Sequence, residues 1–191
     1  MILDAALALF TSQGYGATSV AEIADRAGVA LATVYASVGG KPVLLRLLID
    51  RVDERADIPH QARELLASTD ASDVLRRQVT ITRTLAERMG DVIAALASAA
   101  GTDSEMAAAY QDGLARHRTG AQLTAERIAA LGGLRAGLAP ERAAAMLASL
   151  TQQCVYRSLI GTYGWSFDET QEWLVEILNR QLLTTEAPNA T

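Results

Sequence analysis

Apolar residues recur at helical spacing along nearly the whole chain, and no stretch alternates in the manner of a strand. Ile2, Ala5, Ala6, Leu9 and Phe10 stand at i, i+3, i+4, i+7 and i+8, one face of an amphipathic helix. Gly14-Tyr15-Gly16 ends it. Ser19-Val20-Ala21-Glu22 is a capping-box pattern, in which Ser19 accepts from the amide of Glu22 and the Glu22 carboxylate reaches back. The helix it opens runs to Ala27, and Gly28 is free to take the left-handed conformation at its end. A third helix is predicted from about Leu31 to Val38, stopped by Gly39-Gly40. Pro42 suits the first turn of a fourth, which continues through LLRLLIDRV. The fold class is therefore all-α.

Further helices are predicted at about 60–68, 73–99, 103–131, 140–162 and 167–184. Ile58-Pro59 breaks the pattern before them, and Gly90 or Gly120 can kink or split the long ones. Leu131-Gly132-Gly133 and Gly137 mark a loop. Ser166-Phe167-Asp168-Glu169 is a second capping-box pattern, opening the last helix. The tail TTEAPNAT reads as frayed. No internal repeat is visible. The boundary falls inside or just after the fourth helix, giving domains of 1–48 and 49–191 with no flexible linker.

Charge separates the two parts. Residues 1–51 hold four basic and four acidic groups, so the whole net charge of −5 lies in the remainder. A neutral first part is compatible with nucleic acid but is no evidence for it, as a basic patch would be. No apolar run reaches the roughly 18 residues that span a membrane. MILDAALALF carries Asp4 and no basic leader, so it does not read as a signal peptide. Cys154 is the sole cysteine, which excludes an intrachain disulfide and makes a cytoplasmic protein the expectation. It reads as a small buried hydrophobe on an apolar helix face, with no base beside it to make it a nucleophile. His60 and His117 have no partner at metal-ligand spacing, and no glycine-rich phosphate loop follows a strand. No metal, cofactor or catalytic residue is expected.

Helix, short turn, helix is the geometry that lays a recognition helix in the major groove of DNA. Val29 fills the turn from inside, and Val34 and Val38 face inward to pack on Ile23 and Phe10. Leu31, Ala32, Thr33, Ala36 and Ser37 face outward, with Tyr35 to one side. Small side chains permit a close approach to base edges. Hydroxyls can meet phosphate oxygens or bases, and apolar groups can touch thymine methyls. Lys41, the only lysine, opens the fourth helix, where free backbone N–H groups already favour an anion. Ser19, at the start of the second helix, can meet a phosphate in the same way.

Taken together, ILDAALALF, GYGATSVAEIADRAGV, ATVY and GGKPVLL make residues 2–48 resemble the N-terminal domain of the tetracycline-repressor (TetR) family of transcriptional regulators. The resemblance implies a three-helix helix-turn-helix domain joined through a fourth helix to a larger helical ligand-binding and dimerisation domain. It puts Thr33 and Tyr35 where the family contacts DNA, Tyr35 through phosphate, and Lys41 on the lysine that opens helix four. Three positions depart from the family pattern. No basic residue stands shortly before helix one. Ala30 replaces a capping serine, a loss of ~1 kcal/mol. Ser37-Val38 replaces a frequent histidine–aromatic pair. These departures bear on DNA affinity and operator sequence rather than on the fold.

The resemblance also implies an effector cavity among the middle helices. Met89, Met106, Tyr110, Leu114, Cys154 and Arg157 are its candidates by placement, not by motif. Near the chain end, Leu147, Leu150, Cys154 and Ser158 run along one helix, and Trp173, Leu174, Ile177, Leu178 and Leu182 stripe the next. Such a stripe packs within one subunit or joins two helices from each of two subunits. A domain that reads a palindrome favours the second, with Leu147, Leu150, Trp173, Leu174, Ile177 and Leu178 at the interface. The implied function is a homodimeric repressor of double-stranded DNA operators, released by a small, largely apolar effector and independent of membranes. The alternatives are a ligand-sensing module of the same fold with weak or lost DNA binding and, last, a helical enzyme.

Overall fold

The computed structural model describes residues 1–184, apart from the side chains of residues 49–56. The N-terminal part is built from α1 (Ile2–Gln13), α2 (Val20–Ala27), α3 (Leu31–Val38) and the start of α4 (Lys41–Ala56). At eight residues each, α2 and α3 are too short to persist alone in water, so packing must hold them. The capping box forms as the sequence predicts: Ser19 Oγ accepts from the Glu22 amide, and the Ser19 amide donates to the Glu22 carboxylate at 2.7 Å. Gly28 closes α2 at a left-handed φ of 66°. No side chain caps α3; only the Ala30 carbonyl accepts from the amides of Thr33 and Val34. One buried cluster holds these helices together, with Ala6, Phe10, Ile23, Val34, Leu44 and Leu45 at its centre.

The chain continues through α5 (Ile58–Ala67), α6 (Ala71–Ala99), α7 (Ser104–Ala130), α8 (Pro140–Leu150), α9 (Gln153–Tyr156), a π-helical turn (Arg157–Thr162) and α10 (Phe167–Leu182). Three expectations need correcting. Pro59 does not precede α5 but sits in its first turn, where its missing N–H costs nothing; the break lies at Asp57, with φ 47°. Gly90 and Gly120 leave α6 and α7 unbroken. The single helix read over 140–162 is divided instead. The Thr151 hydroxyl donates to the Leu147 carbonyl at 2.7 Å, and Gln152 is extended at ψ 149°. That break carries neither glycine nor proline to announce it. The tail beyond Thr184 lies outside the described residues, so the expected fraying falls there.

By its contacts the chain forms two compact units, and neither is a single stretch. One comprises Met1–Ala56 with Arg88–Leu114; the other comprises Asp57–Glu87 with the described chain from Ala115 onward. This cuts across the sequential division at 48. The later half of α6 and the first half of α7 supply Val92, Ala95, Leu96, Ala99 and Met106 to the same core as Phe10 and Leu45. The other unit has its own core, centred on Leu75, Ile128, Leu147, Tyr156, Leu174 and Leu178.

In that second unit the loop after α7 is zipped to the end of α10. The Arg135 amide donates to the Leu182 carbonyl at 2.8 Å, and the Thr184 amide donates to the Gly133 carbonyl at 3.0 Å. Gly133 also lies against the start of α6: a Cβ there would sit 2.3 Å from the Ala71 Cβ. Gly133→Ala is therefore expected to destabilise by about 1–3 kcal/mol through overpacking. Thermal unfolding of Gly133→Ala beside the double variant Gly133→Ala/Ala71→Gly checks this; the double variant should recover part of the loss.

Candidate nucleic-acid interface

α3 carries its polarity as the sequence predicts. Val34 is fully buried in the cluster with Ile23 and Phe10, and Val29 and Val38 pack partly against it. Leu31 is 43% exposed and Tyr35 55%, and Ala32, Thr33, Ala36 and Ser37 are exposed beside them. The outward face thus has no charge. The Ser37 hydroxyl donates to the Thr33 carbonyl one turn back, at 2.5 Å. That bond uses its proton and leaves only acceptor capacity toward solvent.

Lys41 is less simple than a solvated point charge. Its ammonium donates to the Tyr15 carbonyl at 2.9 Å, approaches the Gly16 carbonyl at 3.5 Å, and lies 4.7 Å from the centre of the Tyr15 ring. The side chain pins the start of α4 to the turn between α1 and α2, combining a charge-assisted hydrogen bond with a cation–π contact. Three protons on the ammonium leave it able to meet an anion as well. Sequence reasoning misses Tyr15 as the partner of Lys41, because its position between two glycines signals only the end of α1. Burial, followed by the charges of Asp103 and Glu105, pushes its phenol up to about 12, so the ring facing Lys41 stays neutral.

Two further side chains are already engaged. The Ser19 hydroxyl donates to the Glu22 carboxylate at 2.7 Å while accepting from the Glu22 amide at 3.2 Å. The Ser19 amide, and then its hydroxyl, hold the Glu22 carboxyl below its ordinary range, so Glu22 is an anion beside Ser19 at neutral pH. A phosphate at the Ser19 hydroxyl would compete with the cap and meet a like charge. Arg46, on the outer face of α4, is ion-paired with Glu105.

The other candidates divide between the two units. Met106 is buried in the cluster around Phe10, Tyr110 packs partly against it, and Met89 and Leu114 belong to the same unit. Cys154 and Arg157 lie in the other unit, and both are exposed. The exposure of Cys154 corrects its reading as a buried hydrophobe: the break at Thr151–Gln152 ends the face that Leu147 begins. Neither unit by itself gathers the six proposed cavity residues.

Of the interface candidates, Leu147, Leu174 and Leu178 are fully buried in this chain's own core. Only Leu150, Trp173 and Ile177 keep part of their surface, Trp173 with its ring edge-on to Trp165 at 5.8 Å. Tyr156 is also core; its hydroxyl lies 3.1 Å from that of Thr82. His117 bonds through Nε2 to the Ala148 carbonyl near the end of α8. Among the described residues, no single helix is long and apolar enough to cross a membrane.

The sequence profile of the family described as "Bacterial regulatory proteins, tetR family" matches residues 2–47, which hold α1, α2, α3 and the first turns of α4. The HTH-type transcriptional repressor ComR of Escherichia coli (strain K12) is 38% identical over 61 residues, 32% of this chain and 29% of that protein. The match therefore spans less than a third of that relative's length. Solved structures share the fold over nearly the whole chain. A putative transcriptional regulator from Saccharomonospora viridis, crystallised with choline, has a TM-score of 0.76 at 21% identity, covering 96% of both chains. The TetR family transcriptional regulator PfmR from Thermus thermophilus has a TM-score of 0.74 at 20% identity, again covering 96% of each. Residues 2–47 thus match the tetR family of bacterial regulatory proteins, and the fold around them is that of solved transcriptional regulators.

Proposed function

We propose that this protein is a homodimeric repressor that binds a palindromic DNA operator through α3 and Lys41 and releases it on binding a small, largely apolar molecule. The observation that carries the reading is the exposed, small-residue face of α3, set over a buried Val34 inside the segment that matches the family. Thr33 and Tyr35 present hydroxyls outward, and Lys41 stands where the next helix offers its N-terminus. The repressor direction is supported by the ComR match, and the ligand by the choline-bound neighbour. The proposed dimer contact is the partly exposed set Leu150, Trp173 and Ile177. Two recognition helices held about 34–36 Å apart read two half-sites one groove turn apart.

A ligand shifts this equilibrium only through unequal affinity for the two spacings of those helices. At the usual coupling of about 1–3 kcal/mol, an inducer is expected to loosen operator binding by roughly 5- to 150-fold, and operator to weaken inducer by the same factor. Titrating the inducer with and without operator tests this. Identical affinities would leave a repressor that this molecule does not control.

One observation favours a second reading, a sensor with weak DNA binding. α3 bears no charge, Lys41 is tied to Tyr15, and Arg46 is paired with Glu105. A polarisation assay on the DNA flanking its own gene separates the two, since the second reading expects no preference over random duplex.

A further inference from the structure

We infer that α3 reads thymine methyl groups, so that the base pairs it faces in each half-site are T·A and no guanine is recognised through N7; this rests on the DNA-binding reading above. The helix is LATVYASV. Guanine is read bidentately by arginine or lysine, adenine by asparagine or glutamine, and the cytosine amino group by aspartate or glutamate. α3 has none of these six side chains. Beside the single hydroxyls of Thr33 and Tyr35, neither of which can make a bidentate pair with guanine, what it turns outward is carbon: the Leu31 side chain, 43% exposed, the methyls of Ala32, Ala36 and Thr33, and the Tyr35 ring. Carbon gains by covering the C5-methyl of thymine. Against guanine N7 and O6 or the cytosine amino group it removes water and returns no hydrogen bond. The same face therefore attracts T·A and rejects G·C.

Ser37 points the same way. With its proton committed to the Thr33 carbonyl at 2.5 Å, the hydroxyl can only accept from a base, which excludes guanine N7 and O6, both acceptors. The neighbouring cations do not replace a missing guanine reader. Lys41 is held on the Tyr15 carbonyl, and Arg46 is paired with Glu105.

The test starts with selection of duplexes from a random pool by the full chain. Deoxyuridine is then placed for each thymine of the enriched half-site, and 7-deazaguanine for each guanine. Affinity should fall about fourfold for each methyl removed at a contacted position. The guanine replacement should leave it unchanged. In Leu31→Ala, whose exposed side chain is not needed for folding, the thymine-to-uracil ratio should shrink toward one with helix content retained. Uracil duplexes bound as tightly as thymine duplexes, or binding lost with 7-deazaguanine, would overturn the inference and leave DNA binding intact. A pool that yields no enriched sequence would overturn the DNA-binding reading itself, and the inference with it.

Discussion

Ile177→Glu is expected to yield a folded monomer, whereas Leu178→Glu, one residue on, is expected not to fold. The two side chains share α10 but not an environment. Leu178 has no exposed surface and lies in the core with Leu147, Leu174 and Leu182. A carboxylate there is an unpaired buried charge, among the most damaging single changes available. Even Leu178→Ala should lose about 2–5 kcal/mol. Ile177 keeps part of its surface within the chain. Its replacement puts a charge into the proposed subunit contact rather than into the core. Sedimentation velocity with far-ultraviolet circular dichroism reads both variants. A dimer with Ile177→Glu unchanged in mass would move the contact away from this face.

Lys41→Met is expected to lower both stability and DNA affinity. Removing the ammonium breaks its bond to the Tyr15 carbonyl and its contact with the Tyr15 ring. A hydrogen bond to a charged group contributes about 1.5–3 kcal/mol and a partly exposed cation–π contact about 0.5–1 kcal/mol. The lost bond is partly solvated, so a stability loss of about 1–3 kcal/mol is expected. The loss in DNA affinity should be similar for operator and random duplex, and the salt slope should fall by about one unit for each phosphate contact removed. Melting curves and binding across a salt series separate the two roles. A stability loss with an unchanged slope would mean that Lys41 acts only as the pin between α4 and the α1–α2 turn.

The parts of this molecule that are legible in sequence are the local ones. Ser19 and Glu22 lie three residues apart, so their reciprocal cap is written in one stretch, as is the left-handed stop at Gly28. Periodicity alone turns Val34 inward and Thr33 and Tyr35 outward. What escapes depends on partners far along the chain. Lys41 and Tyr15 are 26 positions apart, and nothing around either names the other. The same holds for Arg46 and Glu105. The stripe on α10 is real, but periodicity cannot say whether its leucines meet this chain or a second copy. Burial assigns Leu174 and Leu178 to this chain's core. The break after Leu150 lies in the extended backbone at Gln152, a residue type that does not announce it.

The central claim is that the outward face of α3 recognises specific DNA. The most direct measurement is fluorescence anisotropy of a labelled duplex from the DNA adjoining the gene, titrated with wild type, Thr33→Ala and Tyr35→Phe in excess unlabelled random duplex. Wild type should saturate at two chains per duplex despite the competitor. Each variant loses a hydrogen bond of about 1 kcal/mol at both half-sites, so affinity should fall roughly thirtyfold with melting temperature unchanged. Wild type displaced as readily by random duplex as by its own, with both variants indistinguishable from it, would contradict the account.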